Sequence, residues 1–336
     1  MTSRRHLIIQ GPLISEGHSG RTRGTTFETV TFDCRPQIRR IAKAYAEYFD
    51  RIVLVTWDDA PDFPDPPENL QIVRCSPQGL PSLQRQRTRI RPQGADNLFR
   101  IYYSTLAGLE ALDIDERDPV VRIRTDQEPD LAVLARAADR IPPGRIGIPC
   151  FQNRDSYPLL DFYFAAMARD LRWFVGAVLA DGCRVHFAWA HLEPIFKTAH
   201  ALAETDGIDS RACFVRPLAG KEPVGPKWLN RRQREIARYM YRTRFQPLPF
   251  DAFASIRWRG DPLNDRFVEH HRRTFVFAEN FEPSRLAVRP ADETRWSLAV
   301  ERVRVVKRAV RSRLCVWLAR VRRGEVCPRF ADAHVD

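Results

Sequence analysis

Short apolar segments alternate with segments of helical periodicity over the first 125 residues, and this alternation restricts the fold more than any other feature. The apolar segments have the length and composition of buried β-strands. Strands separated by helices form βαβ units, whose strands lie parallel in one sheet. The chain therefore predicts an α/β fold with a mostly parallel sheet flanked by helices. The predicted strands are Leu7–Ile9, Arg51–Thr56, Leu70–Arg74 and Val120–Thr125, and the helices between them are Ile38–Phe49 and Asn97–Leu112.

After Pro149 the pattern becomes helical and aromatic, and residues 245–290 are predicted to be irregular. The predicted helices are Leu159–Leu179, Ala190–Ala203 and Asn230–Arg244. We expect a C-terminal part that is largely helical. The predicted parts of the chain are a domain over residues 1–215, an irregular and helical extension over 216–294, and a basic helix with a tail over 295–336.

The net charge of +12 is concentrated near the C-terminus. Residues 295–323 hold ten Lys and Arg against one Glu, and so carry nine of these charges. Apolar residues at intervals of three and four give this segment one apolar and one basic face. Such a helix suits an anionic membrane surface, where each basic residue contributes on the order of 1 kcal/mol, and it equally suits packing on the body. Nucleic acid is the less favoured partner, because basic and aromatic content alone is weak support for it.

Seven cysteines are scattered along the chain, without a CxxC pair or another short metal-ligand spacing. An odd, dispersed set in a chain of 336 residues indicates reduced thiols in a reducing compartment. The sequence shows neither an apolar core of signal-peptide length near Met1 nor an apolar run long enough to span a membrane. We therefore expect a cytoplasmic protein, peripheral on the inner face of the plasma membrane if the basic helix binds there.

Polar residues follow several of the predicted strands. Gln10, Trp57 and Asp126 each stand at the carboxyl end of a strand, where parallel sheets bind their ligands. Asp126 and Glu128 form a pair of carboxylates that can face one cavity if the backbone turns there. Such a pair suits a hard divalent cation, which takes one or two carboxylates and completes its shell with water and phosphates. The alternative is a solvated turn with incidental acids.

Four short motifs follow one another over residues 6–130. They are Leu7-Ile-Ile-Gln-Gly-Pro12, Leu54-Val-Thr-Trp57, Asn97-Leu-Phe-Arg100 with Ser104-Thr105 and Gly108-Leu109, and Arg122-Ile-Arg-Thr-Asp126. In this order they resemble the bacterial lipopolysaccharide-synthesis proteins of the WavE type. The chain departs from that pattern where Val55, Ile101 and Val121 replace the family's usual Ser, Gln and Lys.

The resemblance implies a glycosyltransferase of the GT-A type, which moves a sugar from a nucleotide-sugar donor to a cell-envelope polysaccharide, lipopolysaccharide or lipid-linked acceptor. It implies a GT-A-like, Rossmann-like sheet, with a donor half over residues 1–130 and an acceptor half over 131–215. It also places a divalent cation, Mn²⁺ or Mg²⁺, at Asp126 and Glu128. The residues that it assigns to the donor are Gln10, Gly11, Pro12, Trp57, Asn97, Arg100 and Arg124.

Glycosyl transfer needs a positively charged group beside the leaving diphosphate and a base for the acceptor hydroxyl. Arg100 and Arg124 are candidates for the phosphates, because a guanidinium binds phosphate oxygens in pairs. Arg100 also suits an exposed helix position, and one of Arg122 and Arg124, which share a strand face, could instead pair with the nearby acids. Asp161 and Glu193 are the candidate catalytic bases, and burial among aromatic residues would raise the pKa of Asp161. Each also suits a helix start, Asp161 as an N-cap and Glu193 as a first-turn acid.

Two other functions fit parts of the same sequence. A sugar-phosphate nucleotidyltransferase would use the same sheet and carboxylates, but would release pyrophosphate rather than a nucleoside diphosphate. A non-catalytic nucleic-acid-binding protein would use the basic helices and bind with a steep salt dependence.

Overall fold

A seven-stranded, mostly parallel sheet forms the centre of the described part of the chain. The computed structural model describes residues 4–23, 28–76, 80, 95–152, 159–180, 182–183, 186–187, 190–214, 229 and 231–286. All of them belong to one compact unit, Met1–Val288. The predicted basic helix over 295–323, with the membrane and tail predictions attached to it, lies outside the described residues.

The strands of the described residues range from two to seven residues in length. They are β1 (His6–Gln10), β2 (Ile14–Gly17), β3 (Val30–Asp33), β4 (Arg51–Trp57), β5 (Leu70–Cys75), β6 (Pro119–Arg124), β7 (Gln127–Glu128), β8 (Ile146–Ile148), β9 (Phe151–Gln152), β10 (Tyr163–Met167), β11 (Phe245–Pro247), β12 (Arg257–Trp258), β13 (Asp261–Pro262) and β14 (Phe275–Val276).

The helices are mostly short. They are α1 (Arg35–Ala44), α2 (Ala95–Leu112), α3 (Leu131–Ala138), α4 (Ala168–Leu179), α5 (Glu193–Ala201), α6 (Ala203–Asp206), α7 (Ser210–Cys213), α8 (Arg231–Thr243), α9 (Phe250–Ala254) and α10 (Asp265–Thr274), with 3-10 turns at Ala190–Leu192, Ala278–Asn280 and Pro283–Leu286. Within the described part of the chain, no helix is long and apolar enough to cross a membrane.

The central sheet has the order β11-β8-β10-β6-β1-β4-β5. Strand β1 lies parallel to both β4 and β6, and β5 continues this direction beyond β4. Strand β10 runs antiparallel to its two neighbours, β6 and β8, whereas β11 is parallel to β8. These pairings confirm the predicted α/β fold with a mostly parallel sheet.

Each face of the sheet is covered by its own apolar core. On one face, Ile8, Val53 and Val55 pack with α2, α4, α5 and α8. On the other, Leu7, Ile9 and Leu54 pack with α1, α3 and α9. This alternation follows from the pleat, because successive side chains of a strand point to opposite faces. A sheet covered on both faces exposes only its ends, and so places a ligand site at a strand end.

Two predictions about the second half of the chain are wrong. The first part of the helix predicted over Leu159–Leu179 is the strand β10, and α4 begins only at Ala168. Nearly every residue of β10 is buried, so it lacks the polar alternation that separates a strand from a buried helix. The described part of the segment predicted to be irregular, residues 245–286, contains β11, α9, α10 and three more strands of two residues each. Strands of that length are too short to show a period.

The extension predicted over 216–294 also takes part in the sheet. Strand β11 pairs with β8 at its edge, and the hairpin of β12 and β13 joins β7 in a second, three-stranded sheet. The strands over 245–262 therefore pair with strands of the domain predicted over 1–215.

Candidate active site

Three strand ends are fastened together where the strand order turns, between β1 and its neighbours β4 and β6. The backbone N–H of Thr125 donates to the carbonyl of Gln10 at 2.9 Å, and that of Gly11 donates to Val55 at 3.0 Å. Gly11 has φ +137°, and a Cβ there would lie 2.6 Å from Oγ1 of Thr125. Only glycine fits this position, because both the backbone angle and the space exclude a side chain. The carboxyl edge is therefore rigid at the place where ligands bind in sheets of this kind.

Helix α2 lines this edge through three of its side chains. Ser104 donates to the side-chain oxygen of Gln10 at 2.6 Å, with both groups buried. Tyr103 stacks on Trp57 with an interplanar angle of 8°, and the guanidinium of Arg100 lies 5.2 Å from the Trp57 ring centroid. Arg100 is exposed, and Pro12 is exposed as well. Asn97 lies in the first turn of the same helix.

Arg124 joins two carboxylates at the end of β6. Its Nε lies 2.9 Å from Oδ1 of Asp126, and its Nη1 lies 3.4 Å from Oδ2 of Asp161. Asp161 lies two residues before the antiparallel strand β10, which lies beside β6 in the sheet. The structure thus brings together Arg124, Asp126 and Asp161. Arg124 pairs with the nearby acids, which was the alternative to its predicted role in phosphate binding.

A hairpin from far along the chain closes the site. Strand β12 pairs with β7, directly after the turn that carries Asp126, and this pairing places Trp258 and Arg259 against the carboxylate. Nη2 of Arg259 lies 3.0 Å from Oδ2 of Asp126, and Nε1 of Trp258 donates to the same oxygen at 3.3 Å. Ser15 of β2 donates to it as well, at 3.0 Å. Asp126 is therefore enclosed by hydrogen-bond donors.

The turn of this hairpin is strained. Arg259 and Gly260 have φ +47° and +82°, so both central residues of the two-residue turn are left-handed. Glycine adopts this conformation freely, whereas arginine is disfavoured there. Strain of this kind costs about 1 kcal/mol or more and is concentrated at functional sites. In this protein the contacts of Arg259 with Asp126 offset it.

A further arginine covers the indole of Trp258. The guanidinium of Arg23 lies 4.3 Å from the ring centroid, a cation–π contact. Burial, Arg124 and Arg259 lower the pKa of Arg23. Guanidiniums that repel one another in this way would be stabilised by a bound anion.

Arg122 lies beneath the site and is fully buried. Its Nη1 donates to the backbone carbonyl of Asp161 at 2.7 Å, whereas its Nε and Nη2 have no hydrogen-bond partner among the described residues. Burial lowers its pKa to about 10. The guanidinium stays protonated at neutral pH and adds positive charge under the carboxyl edge.

The two carboxylates of the cluster are ionised. Burial favours the neutral acid, but Arg124 overcomes it and lowers the pKa of Asp126 to about 2. Burial opposes ionisation of Asp161 too, yet Arg124, His191 and Arg122 lower its pKa below the ordinary value. The predicted rise in the pKa of Asp161 is therefore wrong, because the charges around it outweigh its burial. Asp161 is not a helix N-cap either, since a strand follows it.

The predicted metal pair does not fit a divalent cation. Glu128 forms an ion pair with Arg40 of α1, on the opposite face of the sheet from α2, whereas Asp126 faces Arg124 and Arg259. The backbone turns at Asp126 before β7 begins, so the two carboxylates have different partners. Across the described ranges, no group of three or more His, Cys, Asp and Glu side chains could hold a metal ion.

Glu193 serves the local backbone. It is fully buried at the start of α5, and its Oε1 accepts from the backbone N–H groups of His186 and Phe187 at 2.5 and 2.6 Å. These bonds satisfy two buried donors, which are costly to leave unpaired. The geometry matches the first-turn acid that was the alternative to a catalytic base.

Sequence reasoning missed Arg23, Trp258 and Arg259. The signal for the last two was the Arg259-Gly260 dipeptide between two short runs, since glycine at the second position of a two-residue loop is typical of a hairpin. That signal could have predicted the hairpin, but not its contact with Asp126. The segment after Gly17 packs on the same hairpin: the backbone N–H of Gly20 donates to the carbonyl of Trp258 at 2.8 Å, and a Cβ on Gly17 would lie 3.1 Å from the guanidinium of Arg259.

Comparison with known proteins leaves the family open. No protein-family model matches the chain, and no curated protein matches it either. The resemblance to WavE-type proteins stays a hypothesis that rests on the four motifs.

Proposed function

We propose that this chain is a glycosyltransferase of the GT-A type, which moves a sugar from a nucleotide-sugar donor to a cell-envelope saccharide or lipid-linked acceptor. One observation carries the proposal: residues of four predicted donor motifs, Gln10, Trp57, Arg100 and Arg124, line one carboxyl edge at the turning point of the strand order. Nucleotides bind at such points in α/β sheets. We expect the enzyme to act at the inner face of the membrane.

The electrostatics of the edge support a leaving diphosphate. Four guanidiniums, of Arg23, Arg122, Arg124 and Arg259, surround two carboxylates, those of Asp126 and Asp161. When the bond from the anomeric carbon to the phosphate oxygen breaks, its electron pair passes to the diphosphate. Fixed positive charge stabilises the developing anion, because the guanidiniums are already oriented before the reaction.

The acceptor hydroxyl oxygen forms the new bond to the anomeric carbon and gives up its proton. Asp161 is the carboxylate that we assign to this proton, since it is ionised, lies next to Arg124 and is slightly exposed. Glu193 is not used, because both backbone donors of its loop already occupy it. Exposed Arg100 and the stacked Trp57 and Tyr103 suit the nucleoside end of the donor.

A donor screen tests the proposal. The intact protein is heated with a panel of nucleotide sugars, and a donor present at 100 times its Kd should stabilise the folded state by about 2.7 kcal/mol. Chromatography of the products then separates the alternatives. Release of a nucleoside diphosphate on sugar transfer supports the proposal, whereas pyrophosphate release would identify a nucleotidyltransferase.

Matched variants locate the activity. Arg124→Gln should reduce kcat/KM at least tenfold, because it removes a charge that faces the developing anion. Arg136→Gln makes the same change on an exposed position of α3 and should leave the rate unchanged. Equal rates for the two variants would refute the assignment of this edge as the active site.

A further inference from the structure

The carboxylate of Asp126 is surrounded by donors from three strands and a turn. A carboxylate has about four lone-pair sites. The described residues direct four hydrogen bonds at this one, from Nε and Nη2 of Arg124, Oγ of Ser15 and Nε1 of Trp258, and Nη2 of Arg259 adds an ion pair at 3.0 Å. A divalent cation would have to displace these donors and would meet two guanidiniums at close range. Asp126 is thus bound as an anion by the protein itself.

The same carboxylate orients the arginines around it. Arg124 is held through two atoms, and Arg259 is fixed further by Ser15 at 3.1 Å and by the carbonyl of His18 at 2.5 Å. A guanidinium has five N–H donors in a fixed plane. Donors of Arg124 that are not used on Asp126 or Asp161 therefore point in a defined direction.

Arg23 supplies charge without a partner of its own. Its side chain stacks on Trp258 and makes no ion pair or hydrogen bond within the part of the chain that the structure describes. Arg124 and Arg259 lie close enough to disfavour its charge. Three guanidiniums so arranged leave a net positive charge after Asp126 and Asp161 are counted. An anion with several oxygens would relieve this repulsion.

We infer that Arg23, Arg124 and Arg259 together bind the diphosphate of the donor and take the place of a divalent cation. The inference rests on the proposed function and adds to it the identity of the group that neutralises the leaving diphosphate. Arginine suits this role, because its planar fork matches two phosphate oxygens and its charge does not depend on pH in the physiological range.

Calorimetry with nucleoside diphosphates tests the inference. The probes are UDP, GDP, ADP and CDP, titrated into the full chain in EDTA and again in Mn²⁺, with the corresponding nucleosides as uncharged references. We expect one diphosphate to bind with the same Kd, within about twofold, in both buffers. Its nucleoside should bind at least tenfold more weakly, because charge-assisted hydrogen bonds to the phosphates are lost.

Two variants assign the binding to the arginines. Arg23→Gln should weaken the diphosphate about tenfold in EDTA without unfolding the protein, since the residue stacks at the surface of Trp258. Arg259→Gln should weaken it at least as much, with circular dichroism to confirm that the variant is folded. Arg136→Gln, on the exposed side of α3, is the matched control and should bind as the wild type does.

The outcomes separate the inference from the proposed function. Binding that appears only with Mn²⁺ would overturn the inference and leave a metal-dependent glycosyltransferase in place. Unchanged affinity of a folded Arg23→Gln and Arg259→Gln would overturn it as well. Failure of every diphosphate to bind in either buffer would contradict the proposed function itself.

Discussion

Replacing Asp126 by asparagine is expected to lower the free energy of unfolding by about 3 kcal/mol at pH 7. The substitution keeps the size of the side chain but removes the charge that faces Arg124 and Arg259. Asp126 is only 2% exposed at its side chain, so water cannot replace the lost interaction. It also turns an amide N–H₂ toward groups that are themselves donors.

Two routes from the structure give this magnitude. Arg124 and the other donors hold the pKa of Asp126 at about 2 against an ordinary value of 3.8. At 1.36 kcal/mol for each pKa unit, this difference corresponds to about 2 kcal/mol. Removing one partner of a buried ion pair costs about 3 to 5 kcal/mol. Arg124 keeps Asp161 and is 25% exposed, which favours the lower part of that range.

Urea unfolding followed by tryptophan fluorescence measures the effect. With a slope of about 3 kcal/mol per molar urea, the midpoint should fall by about 1 M. Asp139→Asn is the matched control, because Asp139 pairs with Arg5 at the surface, where both side chains are about 30% exposed. That pair should contribute less than about 1 kcal/mol. If Asp126→Asn lowered the midpoint no more than Asp139→Asn, the buried-charge reasoning would be refuted.

Three more measurements test the structure. The difference in free energy of unfolding between wild type and Asp126→Asn should be largest above about pH 4 and should shrink as the pH falls toward about 2. The pKa of Asp126 is lowered in the folded protein, so its stabilising contribution disappears once the carboxylate is protonated. A difference that does not change with pH would contradict this origin. Gly108→Ala should destabilise by about 1 kcal/mol or more in urea unfolding, since its Cβ would lie 2.8 Å from Cγ2 of Ile8, whereas Gly176→Ala has open space and should stabilise by up to about 1 kcal/mol. A thiol reagent at pH 8 should modify Cys34 and Cys150 only after unfolding, because burial raises both pKa values, that of Cys34 to about 12; peptide mass spectrometry showing rapid labelling of the native protein would contradict their burial.

The parallel half of the sheet was predictable because its strands are recognisable as short apolar segments of the sequence. Strand β4 is apolar from Ile52 to Val55, and β6 is apolar apart from Arg122 and Arg124, as expected where both faces of a sheet are covered. Strand β10 is just as buried, but its alanines and aromatics also suit a helix, and so it was misassigned. Length alone did not separate the two, because α4 follows β10 without a break.

The candidate site was predictable in part, for a similar reason. Gln10, Trp57 and Asp126 follow strands that could be recognised, so their convergence at one edge followed from the parallel arrangement. Arg259 could not be placed, because its contact with Asp126 depends on the pairing of β12 with β7. The pKa of Asp161 was misjudged because a sequence shows apolar neighbours along the chain but not the charges that come from other strands.

The separation in sequence between Asp126 and the hairpin that covers it also affects how the protein folds. Trp258 lies 132 residues after Asp126, and Arg259 lies 244 residues after Ser15. Synthesis at about 5 to 20 residues per second places on the order of 10 s between the appearance of Asp126 and that of Trp258. During this interval a carboxylate and an arginine at the end of β6 have no hairpin to cover them. Contacts of such long range form late and slow folding, so we expect Arg23, Arg124 and Arg259 to become ordered well after the sheet beneath them.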